Sequence, residues 1–288
     1  MNFFKFSELR TISQLYKTSV LKAPSPDKQK FKPNSSYLNR ITLFQGDITK
    51  LEVDSIVNAA NKRLLGGGGV DGAIHAAAGR KLYHECTKLN GCETGFSKIT
   101  GAYRLPSKKI IHTVGPVYSS TSADQKAKEL ASCYQTSLDL ALENSLRHIA
   151  FPSVSTGIYG YPIEDATHIA LNVVRKHFES EDDSTFKLDR VVFVVWSNKD
   201  KSVYESLIPE YFPPSESETN VLNPEVAPED TQNASEESQD VPEESQETPV
   251  PESQIDDDWE EVDKVEGDVA ENGTEVEHKP EQAKTADA

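Results

Sequence analysis

The 288-residue chain carries 30 Lys+Arg and 47 Asp+Glu, a formal net charge of −17. That charge is unevenly placed: residues 1–212 hold 27 basic and 22 acidic side chains, net +5, and residues 213–288 hold 3 and 25, net −22. No apolar run approaches the ~20 residues that span a bilayer, and Cys86, Cys92 and Cys133 show neither a CxxC nor a His spacing of zinc type, so membrane proteins, disulfide scaffolds and structural zinc folds are set aside.

The first 23 residues contain Lys5, Arg10, Lys17 and Lys22 against Glu8 alone. A short docking helix over Ser7–Tyr16 is expected, with a mitochondrial presequence as the alternative reading. Lys22–Ser36, with Pro24, Pro26 and Pro33, reads as a linker. Residues 1–39 are therefore taken as an N-terminal extension. Ile41–Phe44 begins the first clear strand, which ends in Gly46-Asp47-Ile48-Thr49, and the β-branched run Val53–Val57 is the second.

Four glycines, Gly66 to Gly69, then lead into a helix expected over 71–78, and after a break at Gly79 a second helix runs to about Leu89. Ile99–Tyr103 and Lys109–Val114 read as short strands. Asp124–Leu146 places Leu130, Cys133, Tyr134, Leu138 and Leu142 on one helical face. Ile149–Val154 is a buried strand followed by Ser155-Thr156-Gly157-Ile158-Tyr159-Gly160, and Glu164 and Asp165 open the next helix. Val191–Trp196 is the most hydrophobic strand and is expected at the centre of the sheet; Lys201–Tyr211 closes the domain as a helix. Residues 213–288 contain one aromatic, Trp259, among Pro, Ser, Glu and Gln, and a disordered acidic tail is expected there.

Strands alternating with helices predict an α/β layered domain with a largely parallel sheet over 40–212. Loops 66–72 and 155–160 both leave strands and enter helices, the place where open α/β sheets bind ligands. Glycines allow backbone amides to approach a ligand, and a helix start supplies free N–H groups, so strand, glycine loop and helix together suit a phosphate. Gly67-x-Gly69-x-x-Gly72 matches the dinucleotide fingerprint formally, but no strand ending in an acid follows at the required distance, and no Lys-Ser or Lys-Thr follows for a P-loop.

Asp47 is either a turn cap or an acceptor for a base's exocyclic amine. Asn58 and Asn61, three apart at a strand's carboxyl end, are turn residues or donors to ribose hydroxyls. Asp71 stands beside a polyanion loop, where a carboxylate repels the ligand unless it serves a purpose. His75 and His112 read as core histidines with one backbone hydrogen bond each, or as catalytic groups, though neither has a serine or cysteine partner of triad type. Tyr159 and Trp196 read as packing residues, or as surfaces for stacking on a sugar or base if a nucleotide lies there.

The segments Gly46–Thr49, Val57–Asn61, Leu64–His75, Ile111–Pro116 and Phe151–Gly160 occur in one order, and on them the chain resembles the macrodomain family, in its MacroD-type branch, over about residues 40–212. The resemblance implies a three-layer α/β/α sandwich around a mixed, largely parallel sheet, with ADP-ribose as ligand and no cofactor. Asp47 would bind the adenine amino group and Ile48 line the base pocket; Trp196 stands where the branch usually stacks a phenylalanine on adenine. Gly68, Gly69 and Val70 would contact the diphosphate from one side, and Ser155, Thr156, Gly157, Ile158 and Tyr159 from the other. Asn61 and Asp71 would meet the distal ribose.

The implied activity is removal of a single ADP-ribose from aspartate or glutamate side chains of proteins, and deacetylation of O-acetyl-ADP-ribose, with Asp71 positioning the water. The alternative is a non-catalytic ADP-ribose reader; the Asn61 and Asp71 pair favours the enzyme. The residues leave open whether ADP-ribosylated nucleic-acid ends are processed. A monomer in the cytoplasm or nucleus is the expected state.

Overall fold

The computed structural model describes residues 3–182 and 187–215, which fall in one compact unit, Met1–Glu229; residues 216–288, and with them most of the expected tail, lie outside the described residues. The strands in chain order are β1 (Phe4–Lys5), β2 (Ile41–Gln45), β3 (Leu51–Glu52), β4 (Ser55–Ala60), β5 (Ser97–Gly101), β6 (Lys109–Val114), β7 (His148–Pro152) and β8 (Arg190–Val195). The helices are α1 (Ile12–Lys17), α2 (Ser35–Leu38), α3 (Gly69–Ala78), α4 (Arg80–Lys88), α5 (Ala123–Glu143), α6 (Ile163–Ser180) and α7 (Asn198–Tyr211). Six strands form one sheet in the order β2-β8-β7-β4-β6-β5, parallel throughout except for β5, which runs antiparallel to β6 at the edge.

Because side chains alternate across a strand, β8 sends Val191, Phe193 and Val195 to one face and Val192 and Val194 to the other, and all five are buried. The first face packs against α1, α2, α5, α6 and α7, with Leu15, Leu38, Tyr134, Leu138, Leu171, Phe178 and Ile208 in the shared core. The second face packs against α3 and α4, through Ile56, Ala60, Ile110, Ile74, Ala78 and Leu82. This is the three-layer sandwich. Strands covered on both sides read as continuous apolar runs, which explains why β8 is so hydrophobic without being central: it lies one in from the edge, between β2 and β7, and the centre belongs to β7 and β4.

The N-terminal extension is stitched to the domain. β1 pairs with β3, Thr11 bridges to Thr42, and Ile12, Leu15 and Tyr16 enter the core. Its helix is shorter than expected and starts at Ile12, because Thr11 and Gln14 form a capping box there. Arg175, buried in α6, donates to the Lys32 carbonyl at 2.9 Å and to that of Tyr211 at 3.1 Å, pinning the linker and the end of α7 together. The second expected strand runs further than its apolar core, to Ala60, so Asn58 is a strand residue and not a turn residue.

Candidate active site

At the carboxyl ends of β2, β4, β7 and β8 lies a cavity of about 540 Å³. The glycine loop and the first turn of α3 form one wall, the loop after β7 another, and Asp47, Ile48 and Trp196 the far end. In the glycine run only Gly66 (φ 85°) and Gly69 (φ 60°) use left-handed backbone. Gly72 is needed for room: a Cβ there would strike the carbonyl oxygen of Gly67. No side chain caps α3 at Gly68, so the helix presents its first amides to the cavity side.

The opposite loop holds its shape by its own backbone bonds, Tyr161 N to Ser155 O and Gly160 N to Gly157 O at 2.9 Å each, with Ser155 left-handed at φ 66°. Ile158, 82% exposed, reaches from this loop toward Gly68, so the two walls approach at their lips.

Asp71 sits at the cavity wall and is only 3% exposed. Asn58 Nδ2 donates to its Oδ1 at 2.7 Å, Asn61 Nδ2 to its Oδ2 at 3.3 Å, and His75 Nε2 lies 3.5 Å from Oδ1, one turn along α3. Burial raises the Asp71 pKa, opposed by the Asn58 bond and the His75 charge; burial likewise lowers that of His75. Asn61 also braces the glycine loop by donating to Gly66 O at 2.8 Å, and its Oδ1 accepts from Arg63 N at 3.0 Å. The site thus offers a buried carboxylate of raised basicity beside an uncapped helix start, in a cavity of ligand size.

Residues 57–170 match the family model described as Macro domain. The chain is 49% identical over 208 residues to the ADP-ribose glycohydrolase MACROD1 of Rattus norvegicus, an alignment covering 72% of this chain and 80% of that protein. The chain belongs to the macrodomain family. The macrodomain is also 46% identical over 211 residues to the ADP-ribose glycohydrolase MACROD2 of Xenopus laevis, where the alignment covers 73% of this chain and half of the other. A Trypanosoma brucei macrodomain solved in complex with ADP-ribose superposes with a TM-score of 0.60 at 39% identity, covering 72% of this chain and 78% of that one.

Of the residues singled out from the sequence, the macrodomain brings Asp47, Ile48, Asn61, Gly68, Gly69, Val70, Asp71, Ser155, Thr156, Gly157, Ile158, Tyr159 and Trp196 to the cavity. Asn58 is the correction: it is 0% exposed, its amide is turned toward Asp71 and His112, and it does not line the cavity. Asp47 does cap a turn, its Oδ1 accepting from Thr49 N at 2.9 Å and Thr49 Oγ1 at 2.7 Å, while standing on the cavity wall. Trp196 lies past the end of β8, 76% exposed at the mouth.

His75 and His112 depart from the backbone-bonded core expected of them. His112 bonds the side chains of Asn58, Thr100 and Cys86, and His75 Nε2 has no hydrogen-bond partner among the described residues. With Cys86 they form the cluster of donor atoms within 4.8 Å of one another that sequence spacing did not reveal. Both ring nitrogens of His112 are engaged, burial pushes its pKa down to about 3 and the Cys86 thiol up to about 11, so His112 and Cys86 are neutral lining behind Asp71. Ser153 and Asp200 also line the cavity and were missed, since neither stands out in its local sequence and only the fold brings it to the cavity.

Proposed function

We propose that this macrodomain binds ADP-ribose in the cleft and hydrolyses the ester joining a single ADP-ribose to an aspartate or glutamate side chain, and that the same site removes acetate from O-acetyl-ADP-ribose. The observation that carries the reading is Asp71, a carboxylate of raised pKa, held between Asn58 and Asn61 at the end of an amide-lined phosphate wall. The named activity of the similar rat and Xenopus laevis proteins supports the hydrolase, and the Trypanosoma brucei complex supports the ligand.

In this reading the amides of Gly68 to Val70 and of the loop 155–159 hold the diphosphate, Trp196 stacks on the base, and Asp47 accepts from its amino group. Asn61 steadies the distal ribose. Asp71 orients or deprotonates the attacking water, and its raised pKa makes it a stronger base than a solvated carboxylate. Much of the acceleration comes from positioning the ester against that water.

Incubating the full chain with a mono-ADP-ribosylated acidic peptide tests this. Free ADP-ribose appears if the reading is right. Binding with the label retained identifies a reader instead, and absence of binding removes both.

A further inference from the structure

Behind Asp71 lies a run of buried polar groups that the reaction as drawn does not use. β4 and β6 pair in parallel with Asn58 directly opposite His112, and both residues are fully buried under α3 and α4. The two protons of Asn58 Nδ2 meet two acceptors, Asp71 Oδ1 at 2.7 Å and His112 Nδ1 at 3.1 Å, while Asn58 Oδ1 finds no hydrogen-bond partner among the described residues. Turning the amide over would satisfy neither neighbour, because it would set an oxygen against a carboxylate and a ring lone pair.

The tautomer of His112 follows from both sides of the ring. Nδ1 faces the amide N–H that Asp71 holds in place, so it is the acceptor, and Nε2 carries the proton, 2.9 Å from Thr100 Oγ1 and 3.8 Å from Cys86 Sγ; the Thr100 hydroxyl in turn donates to the Gly101 carbonyl at 3.2 Å. Burial, and then the nearby charge of His75, push the ring's pKa down to about 3, so it is neutral and Nδ1 stays bare. Donation therefore runs from the Asn58 amide through His112 and Thr100 to the carbonyl of Gly101, and from the same amide to Asp71. A sheet face covered by helices packs as well with apolar side chains, and buried polar networks are tolerated only when each member holds another in place.

We propose that His112 is a positioning residue for the hydrolysis, fixing through Asn58 the orientation of the Asp71 carboxylate. This deepens the proposed function and rests on Asp71 being the group that directs the water. The groups facing Asp71 are His75 on its own helix, Asn58 on β4 and Asn61 just beyond it, with His112 of β6 and Cys86 of α4 behind; Cys86, pushed to about 11, and His112, pushed to about 3, keep their charge state through the neutral range. Of these facing groups, Asp71 and His75 shape the pH profile.

The test measures hydrolysis of a mono-ADP-ribosylated acidic peptide across pH, and ADP-ribose binding by calorimetry, for the full chain and its variants. His112→Phe is expected to lower kcat by roughly 10- to 100-fold, as loss of an orienting partner does, with the ADP-ribose Kd within about threefold of the parent. The acid limb of its profile moves to higher pH, because Asp71 loses a properly aimed donor. His112→Asn, whose side-chain oxygen stands near the place of Nδ1, restores most of kcat and returns the acid limb. Thr100→Val, close to isosteric, frees the tautomer and gives a smaller loss with the same direction of shift.

An unchanged kcat and acid limb in folded His112→Phe overturns the proposal, as does a loss that weakens ADP-ribose binding equally and is not rescued by His112→Asn. Where His112→Phe does not fold, Thr100→Val and Asn58→Ser decide, and an unshifted acid limb in both overturns it. Asp71→Ala separates the two levels. Full turnover there refutes the reading of Asp71 itself, whereas an inactive Asp71→Ala beside fully active His112→Phe refutes the role of His112 alone.

Discussion

Strand β4 has a buried aspartate before it and another after it, and the two carboxylates are handled in opposite ways. Asp54, 6% exposed at the amino end, accepts from Arg147 N at 2.7 Å, pairs with the Lys108 ammonium and has His148 Nδ1 at 3.5 Å. Burial alone would raise its pKa, but these bonds and charges outweigh it and hold the carboxyl below its usual range. Asp71, beyond the carboxyl end, is met by two amides and by a histidine whose own pKa burial lowers, and burial raises the pKa of Asp71. The amino end of the sheet is closed further by Phe6, stacked on His148 at 3.8 Å. Parallel sheets carry their chemistry at the carboxyl end. Here that division extends to the electrostatics: one aspartate is satisfied for stability, the other left high in energy beside a cavity.

The largest expected effect breaks the comparison at its functional side. Asp71→Ala should slow release of ADP-ribose by about 10²- to 10⁴-fold, the usual contribution of a general base, while calorimetry still detects ADP-ribose. Asp54→Ala should do the reverse. Removing it leaves the Arg147 amide and a buried corner without their acceptor, a loss of about 2 kcal/mol in urea unfolding at pH 7, with turnover per folded molecule unchanged. Because the folded pKa of Asp54 is depressed, its contribution is present above the unfolded value of about 3.9 and disappears as pH falls through the lower folded value. The difference between Asp54→Ala and the parent should therefore shrink in acid.

Trp196→Ala should weaken ADP-ribose binding about tenfold, the scale of one lost base stack, and leave the unfolding midpoint in place, since the ring is 76% exposed. The smallest effect is a gain. The folded pKa of Asp71 lies above its unfolded one, so the folded state holds the proton more tightly and ionisation at neutral pH subtracts stability. Asp71→Asn should thus stabilise by about 1 kcal/mol at pH 7, in the range of relieved active-site strain, and by nothing below the unfolded carboxylate pKa. A destabilised Asp71→Asn would end the contrast between the two ends of β4.

Much of this architecture was legible in the residues. Val191–Val195 declares a strand covered on both faces, and Gly66–Gly69 between an apolar strand and a helix declares an anion loop, because both signals are local in the chain. The places where the expectation failed are those where context overrides a local pattern. Asn58 reads as a turn donor until pairing with β6 extends β4 past it. His75 and His112 are 37 positions apart, so nothing in the sequence announces that they share the space behind one carboxylate. β8 seemed central because hydrophobicity reports coverage of both faces and not rank within a sheet.

What the sequence determined by itself is therefore the layered α/β character, the glycine loop and the family, since periodicity and short motifs depend on neighbours a few residues away. Which amide grips Asp71, which tautomer His112 adopts, and why Asp54 and Asp71 differ were decided only by tertiary structure. Those properties follow from the register of β4 against β6 and the seating of α3 over both, contacts made between segments distant in the chain, where burial sets the electrostatics.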